Sequence, residues 1–175
     1  GSVFVYGYRS QSNSGHYVRI YSINTESHIL TLNASLNHFA GYIALSGDGS
    51  KVFINTGNKE CKVYDNSGIF LHAILATNYI YGIHASYTGN RVVFNIAMIK
   101  FEVYDLSGTK YVLYHTIDGL NISSTSLSGN GDILVYRTYN SPNYNLKIYN
   151  LLSKLEVYDI SSSSSSLGYK LKTNY

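Results

Sequence analysis

One strand-like segment recurs four times along this chain of 175 residues, and its spacing constrains the fold more than any other feature. The four copies are Tyr17–Tyr21, Cys61–Asp65, Phe101–Asp105 and Leu146–Asn150. Each copy contains a tyrosine at the equivalent position, and these tyrosines are 43, 40 and 45 residues apart. Self-similarity at such a period predicts that the chain stacks several copies of one supersecondary unit.

A second marker keeps the same phase, which argues against a chance repeat. It is a short segment rich in serine and glycine, found at Leu45–Gly49, Ser86–Gly89 and Leu127–Gly131. A β-rich run follows each copy, namely Lys51–Ile54, Arg91–Phe94 and Asp132–Val135. Because two unrelated patterns share one period, we interpret the chain as a true repeat.

Each repeat unit is predicted to contain four strands. In the second unit these are Lys51–Asn55, Glu60–Asp65, Ile69–Ile74 and Tyr81–Tyr87. Glycine and asparagine lie between them, where tight turns need positive φ angles, and no helical period is found. Four strands in about 40–45 residues are typical of a propeller blade. The sequence therefore predicts an all-β fold, a β-propeller of about four four-stranded blades.

The ends of the chain are out of phase with the repeat. We expect a single propeller-type domain over residues 1–175, with units of approximately 1–49, 50–89, 90–131 and 132–168, and a surplus strand over 169–175. Three arrangements stay open: a section of a larger propeller, a closed ring with a spare strand, or a protomer whose end strand completes its neighbour. The last would give head-to-tail assembly. Its candidate assembly residues are Val3 and Val5 in the first strand and Tyr169 and Leu171 in the surplus strand.

Composition excludes several classes of protein. Hydrophobic residues make up 45% of the chain and charged residues 13%, which is enough apolar material for a core and argues against disorder. No apolar run is long enough for a membrane-spanning helix. The single Cys61 excludes an internal disulfide and a cysteine-based zinc cluster. The thirteen basic residues are dispersed, so we expect no nucleic-acid binding.

Catalytic and cofactor motifs are also missing from the sequence. The six histidines show no metal-ligand spacing, and neither nucleophile motifs nor phosphate-binding glycine loops occur. Asp65, Asp105 and Asp159 follow tyrosines at predicted strand ends, where carboxylates accept N–H bonds from turns. We therefore predict no enzyme activity, no catalytic residue, no cofactor and no metal. Tyrosines beside loops suit protein or sugar contacts, although an ordinary β-rich surface explains them equally well: Tyr79, Tyr81, Tyr139 and Tyr144.

Two N-glycosylation sequons bear on the location of the protein. They begin at Asn33 and Asn121, and each falls just after a β-rich stretch, before a marker segment. Because the two positions are equivalent in different repeats, we treat both asparagines as glycosylation candidates. Their use would place the protein outside the cell or on its surface.

The first unit resembles the FG-GAP-type repeats of integrin-alpha-like β-propellers. The resemblance is carried by Gly1–Gly7, the loop Ser10–Ser14, the strand Gly15–Tyr21 and the continuation Phe39–Gly49. It implies an extracellular or cell-surface propeller that acts in adhesion or assembly, usually without catalysis. Such propellers often carry a calcium loop. Calcium needs six or more oxygen ligands, and this chain offers only Asp48 and Asn130 at the marker, so we expect these two to be turn residues.

Two functions follow as expectations. The first is a non-catalytic extracellular structural or adhesion protein that acts through protein–protein contacts and self-assembles into a surface filament. Its partners would be further copies joined through the end strands, or other surface proteins or glycans. The alternative is a ligand-binding module, for sugar or peptide, in a larger cell-surface receptor-like protein.

Overall fold

The chain folds entirely into antiparallel strands in our computed structural model, which describes residues 3–9, 16–22, 25–34, 42–57, 59–119, 121–140 and 143–162. The all-β prediction is confirmed. None of the described residues forms a helix long and apolar enough to cross a membrane. The strands are β1 (Val3–Arg9), β2 (His16–Ser22), β3 (Ser27–Ala34), β4 (Ile43–Leu45), β5 (Lys51–Asn55), β6 (Glu60–Asp65), β7 (Phe70–Leu75), β8 (Ile80–Ala85), β9 (Arg91–Ile96), β10 (Lys100–Ser107), β11 (Lys110–Asp118), β12 (Ile122–Leu127), β13 (Ile133–Asn140), β14 (Asn143–Asn150) and β15 (Leu155–Ser162).

The strands form four separate sheets in chain order. Sheet 1 contains β1, β2 and β3, and the other three sheets have four strands each: sheet 2 is β4–β7, sheet 3 is β8–β11 and sheet 4 is β12–β15. The first strand of sheet 3, β8, contacts the first strands of sheets 2 and 4, which places the three strands beside a common axis. About four blades were predicted, and the described residues form four sheets, three of which have four strands.

The predicted repeat units are one strand out of phase with the sheets. The strand predicted at Tyr81–Tyr87 lies at Ile80–Ala85 as β8, and it pairs with β9 in sheet 3 rather than with β7 in sheet 2. The reason is that the serine–glycine marker is a hairpin turn inside a sheet. It joins the first strand to the second, so each sheet begins one strand before its marker. The predicted bounds of β5 and β6 are correct, and β7 is shifted by one residue.

The marker folds the same way in sheets 2, 3 and 4. In sheet 2, the Ser46 N–H donates to Lys51 O at 3.0 Å, and the Lys51 N–H donates back to Ser46 Oγ at 2.9 Å. Ser86 and Ser128 make the corresponding pairs of bonds in sheets 3 and 4. A glycine with positive φ closes each turn, at Gly49, Gly89 and Gly131. The marker is therefore a structural device that reverses the chain.

Neighbouring marker turns also bind each other. The Asp48 N–H donates to Tyr87 O at 2.8 Å, and the Tyr87 N–H donates to Gly129 O at 2.6 Å. The first residue of the second strand reaches the next turn as well, since Lys51 Nζ donates to Thr88 O at 2.7 Å and Arg91 Nη1 donates to Gly131 O at 3.0 Å. These bonds fix how each sheet is placed on the next.

The hydrophobic core consists of three clusters, one between each pair of successive sheets. Val18 and Ile20 of sheet 1 pack against Val52 and Ile54 of sheet 2. Phe53 and its neighbours pack against sheet 3, whose opposite face packs against sheet 4. We call the face of a sheet that packs on the following sheet its front, and the face toward the preceding sheet its rear.

Two marker glycines provide a matched test of these contacts. Both have positive φ, 74° at Gly49 and 81° at Gly131, so alanine is strained at either position by roughly 1–2 kcal/mol. A Cβ at Gly49 meets nothing within 4 Å, whereas one at Gly131 lies 3.2 Å from the Cβ atoms of Ser86 and Arg91. We expect Gly131→Ala to destabilise the fold by about 1 kcal/mol more than Gly49→Ala, because it also overpacks the junction of sheets 3 and 4. Urea unfolding measures the difference, and equal losses would contradict this junction.

Candidate functional site

The rear face of sheet 1 is uncovered within the described part of the chain. Phe4 pairs opposite the repeat tyrosine Tyr21, as Val52 pairs opposite Tyr64 in sheet 2. Val52 is fully buried, but Phe4 is 43% exposed and the neighbouring Tyr6 is 38% exposed. The ring of Phe4 lies 4.9 Å from that of Tyr21 and 5.8 Å from that of Tyr6. This rear face is a compact aromatic surface.

The front face of sheet 4 is likewise uncovered within the residues that the structure describes. Ile148 precedes its repeat tyrosine as Val63 and Val103 do in sheets 2 and 3, and those two valines are fully buried. Ile148, by contrast, is only half-buried, and so are Leu146 beside it and Val135 opposite it. This front face is a branched aliphatic surface. The four sheets thus form an arc with a rear face open at one end and a front face open at the other.

The first strand of the chain corresponds to the second strand of the other sheets. β1 pairs with β2 in the register that β5 uses with β6, and it contacts β4 as β5 contacts β8. Among the described residues, sheet 1 therefore has no counterpart of β4 on the inner side of β1. Val3 is buried and Val5 partly buried, and both pack toward sheet 2. Tyr169 and Leu171 lie outside the described residues.

Two adjoining cavities open beside the axis, and we call them together the axial groove. One has a volume of about 340 Å³ and the other about 240 Å³. Tyr42 and Tyr81 line both, with ring centroids 6.4 Å apart. The larger cavity is also lined by Asn55, Gly57, Tyr79, Ile80 and Met98. The smaller one is lined by Ile43, Gly82, Ile83, His84, Asn95, Ser123 and Thr125.

Asn95 differs from its repeat counterpart in its hydrogen bonds. Asn55, at the equivalent position of sheet 2, donates from Nδ2 to Ile80 O at 3.1 Å and accepts the Gly57 N–H on Oδ1 at 2.9 Å. Asn95 is 7% exposed, and its buried Oδ1 has no hydrogen-bond partner among the described residues. A buried acceptor without a partner loses its hydration without compensation. Asn95, a lining residue of the smaller cavity, thus carries an acceptor without a partner among the described residues.

The axial groove carries no formal charge. No Asp, Glu, Lys or Arg is among the described residues that line the two cavities. Burial lowers the pKa of His84 to about 4, so its ring is neutral at pH 7. The groove therefore offers tyrosine rings and uncharged hydrogen-bonding groups.

Comparison with solved structures identifies the fold. The chain is similar to a structure of Kuenenia stuttgartiensis hydrazine synthase, with a TM-score of 0.66 and 17% identity, over 89% of this chain and 48% of that one. It is also similar to the β-propeller domain of Myceliophteria thermophila Cps50 (Swd1), with a TM-score of 0.64 and 12% identity, over 83% of this chain and 55% of that one. The chain has a β-propeller fold.

The propeller spans about half the length of these two structures. At such identities the likeness shows the fold alone, and no activity passes from either protein to this one. No protein-family model and no curated protein sequence matches the chain.

The predicted turn role of the Asp and Asn side chains is correct for some and wrong for others. Asp48 accepts the Ser50 N–H at 2.9 Å, Asn130 accepts the Asp132 N–H at 3.2 Å, and Asp65 accepts the N–H groups of Ser67 and Ile69. Asp105 lies inside β10 instead, and both its oxygens bind Arg91 at 2.6 Å. Asp159 lies inside β15, 3.4 Å from Lys147 Nζ. Asp105 and Asp159 therefore each face a basic residue on the paired strand, a contact that the local sequence does not show.

The remaining predicted positions are on the surface or in the core. Cys61 is buried and unpaired, and burial raises the pKa of its thiol far above the usual range, so the residue is unreactive. Asn121 is exposed between β11 and β12. Asn33 lies in β3, and its side chain is outside the described part. Among the described residues, no group of three or more His, Cys, Asp or Glu side chains is placed to hold a metal ion.

Two charged residues that the sequence analysis missed, one fully and one partly buried, join the propeller sheets. Glu102 of sheet 3 accepts bonds from Thr77, which follows sheet 2, and lies 2.9 Å from Lys100 Nζ. Arg91 of sheet 3 binds the marker turn of sheet 4. Each is an ordinary charged residue in a strand, and only the packing of two sheets reveals its partner beyond its own sheet.

Proposed function

We propose that this propeller is a structural protein that associates head to tail, with the front face of sheet 4 of one copy packing on the rear face of sheet 1 of the next. The single observation that carries the proposal is the pair of uncovered end faces. Positions that are fully buried within the arc are exposed or half-buried at its two ends. Contiguous exposed apolar surface of this kind marks an interaction site.

The two end faces match the way sheets already pack inside the chain. Every internal junction joins the front of one sheet to the rear of the next. The uncovered front of sheet 4 is formed by Val135, Leu146 and Ile148, and the uncovered rear of sheet 1 is formed by Phe4 and Tyr6. A second copy has a rear face of sheet 1 that fits the front of sheet 4, and a front face of sheet 4 that fits the rear of sheet 1. Such a heterologous contact either closes into a ring or continues as a filament.

Strand addition strengthens the same contact. The inner side of β1 has the hydrogen-bonding groups of a sheet edge, and a strand added there would complete sheet 1 with a fourth member. We assign this role to the segment 169–175 of the neighbouring copy, with Tyr169 and Leu171 as its candidate assembly residues. Val3 is buried and Val5 is partly buried, and both hold β1 against sheet 2 beside this edge.

The proposed setting is the outside of the cell, in adhesion or in a surface filament. Its support is the FG-GAP-type pattern of the first unit and the two sequons. Asn121 is exposed, and its Nδ2 donates to Tyr139 O at 2.9 Å, which leaves the second N–H hydrogen for replacement by a glycan. Glycopeptide mapping of Asn33 and Asn121 in protein from its native source tests this setting. No catalytic role is part of the proposal.

Substitutions on the two end faces test the association. We expect the wild-type chain to form species of two or more copies in light scattering. Phe4→Asp and Leu146→Asp should each convert it to monomers, because a carboxylate at either face would be buried without a partner. Leu113→Asp is the control, since Leu113 is an exposed leucine on the outer strand of sheet 3, away from both end faces.

A mixing experiment then distinguishes a head-to-tail contact from a symmetric one. Each variant keeps one intact end face, so a mixture of Phe4→Asp and Leu146→Asp should form dimers and nothing larger. A wild-type chain that stays monomeric would overturn the proposal, and so would variants that associate as the wild type does.

A further inference from the structure

We propose that the axial groove binds a neutral carbohydrate of two sugar rings. This function is separate from the head-to-tail association, because the groove residues lie beside the axis and not on the end faces. It rests on the open acceptor of Asn95, the tyrosine pair and the uncharged lining.

The open acceptor selects a ligand that donates hydrogen bonds. Asn95 lines the smaller cavity, and its buried Oδ1 has no partner among the described residues, whereas its counterpart in Asn55 is occupied by a backbone N–H. Ser123 and Thr125 add hydroxyl groups on the facing strand β12. A sugar hydroxyl donates to a carbonyl oxygen and accepts from a hydroxyl group, so a polyol satisfies this set.

The lining excludes charged ligands. A phosphate or carboxylate would be desolvated in the groove without a cation, and an ammonium group without an anion, and burial of an unpaired charge is strongly unfavourable. The His84 ring is neutral at pH 7 because burial depresses its pKa to about 4. Neutral sugars avoid this penalty.

The shape of the groove suits two linked rings. Small-molecule pockets commonly have about 300–1,000 Å³, and the two cavities, at about 340 and 240 Å³, each lie near or below the lower limit. Tyr42 and Tyr81 stand where the cavities meet, and their rings can cover the apolar C–H faces of a sugar while their hydroxyl groups bind its oxygens. One ring of a disaccharide would occupy each cavity.

Titration of the intact chain with maltose, cellobiose, lactose and N,N′-diacetylchitobiose tests the proposal, with binding followed by calorimetry and saturation-transfer NMR. We expect at least one of them to bind with a Kd of about 1 mM or tighter, a free energy of about −4.1 kcal/mol. Glucuronate and glucosamine, the charged comparators, should bind at least tenfold more weakly. Absence of binding by all four disaccharides would overturn the proposal and indicate that water fills the groove.

Three variants locate the site. Asn95→Leu removes the acceptor, Tyr81→Ala removes a ring, and Gly82→Ala places a methyl group 3.4 Å from Asn95 Cβ and 3.7 Å from His84 Nε2, inside the smaller cavity. Each should weaken binding at least tenfold. Tyr158→Ala removes an exposed tyrosine on the outer strand of sheet 4 and should leave binding unchanged.

Thermal stability separates a ligand site from a structural role of Asn95. Because Oδ1 has no partner, Asn95→Leu should keep or raise the Tm while binding is lost. Asn55→Leu, which breaks two internal hydrogen bonds, should lower the Tm. Retained sugar binding in both Asn95→Leu and Gly82→Ala would place the ligand elsewhere and overturn the proposal.

Discussion

Glu102→Ala is expected to lower the free energy of unfolding by about 4 kcal/mol, within the range of about 3–5 kcal/mol found when one partner of a buried ion pair is removed. The Glu102 side chain is fully buried. Its carboxylate accepts bonds from the Thr77 backbone and hydroxyl groups and from the Tyr104 hydroxyl group, and it pairs with Lys100 Nζ. Alanine would leave these donors without an acceptor and open a cavity between sheets 2 and 3.

Urea unfolding followed by tyrosine fluorescence measures this loss at neutral pH. Glu156→Ala is the control, because Glu156 forms an exposed pair with Lys147 and such pairs contribute only about 0–1 kcal/mol. A loss below about 1 kcal/mol for Glu102→Ala, the level of an exposed pair, would contradict the structural role of this carboxylate.

The same residue makes the propeller sensitive to acid. Burial raises the pKa of Glu102, but bonds from Thr77, Lys100 and Tyr104 outweigh it, and the pKa lies below its usual value. A carboxylate with a depressed folded-state pKa stabilises the fold fully above its unfolded pKa, about 4.3, and this contribution is lost as the pH falls through the folded pKa. Glu102→Gln should therefore flatten the acid limb of the stability curve.

Features set by local chemistry could be predicted from the sequence. The marker turns depend on a serine, an Asp, Asn or Thr and a glycine within a few residues, and the structure shows their hydrogen bonds at Ser46, Asp48 and Asn130. The strand period followed from the same markers. The grouping of strands into sheets was wrong. A turn within a sheet and a turn that connects two sheets have similar sequences, so the sequence does not show where one sheet ends and the next begins.

Features set by contacts between residues far apart in the sequence could not be predicted. Asp105 has the same local sequence as Asp65, yet it pairs with Arg91 across two strands while Asp65 caps a turn. Ile148 and Val103 are similar residues at one repeat position, and Val103 is fully buried while Ile148 is half-buried because a following sheet covers only Val103 among the described residues. Asn55 and Asn95 likewise differ only in the bonds that their surroundings supply.

Arg91→Ala is the second substitution with a large expected effect, about 3 kcal/mol, because charge-assisted bidentate bonds and a partly buried partner are lost together. Arg91 Nε and Nη2 donate to the two Asp105 oxygens at 2.6 Å. Its Nη1 donates to Gly131 O at 3.0 Å, and its guanidinium carbon lies 4.8 Å from the centre of the Tyr114 ring. One side chain thus links two strands of sheet 3 to the marker turn of sheet 4.

Lys51→Ala is the matched control, because Lys51 occupies the same repeat position in sheet 2. Its ammonium group donates to Thr88 O at 2.7 Å on the surface, an exposed contact for which we expect less than about 1 kcal/mol. Arg91→Lys should fall between the two, since lysine keeps the charge but cannot form the planar double contact with Asp105. Equal losses for Lys51→Ala and Arg91→Ala in urea unfolding would contradict the role of the guanidinium group. In that case the backbone bonds between marker turns, which both variants retain, would be what holds successive sheets together.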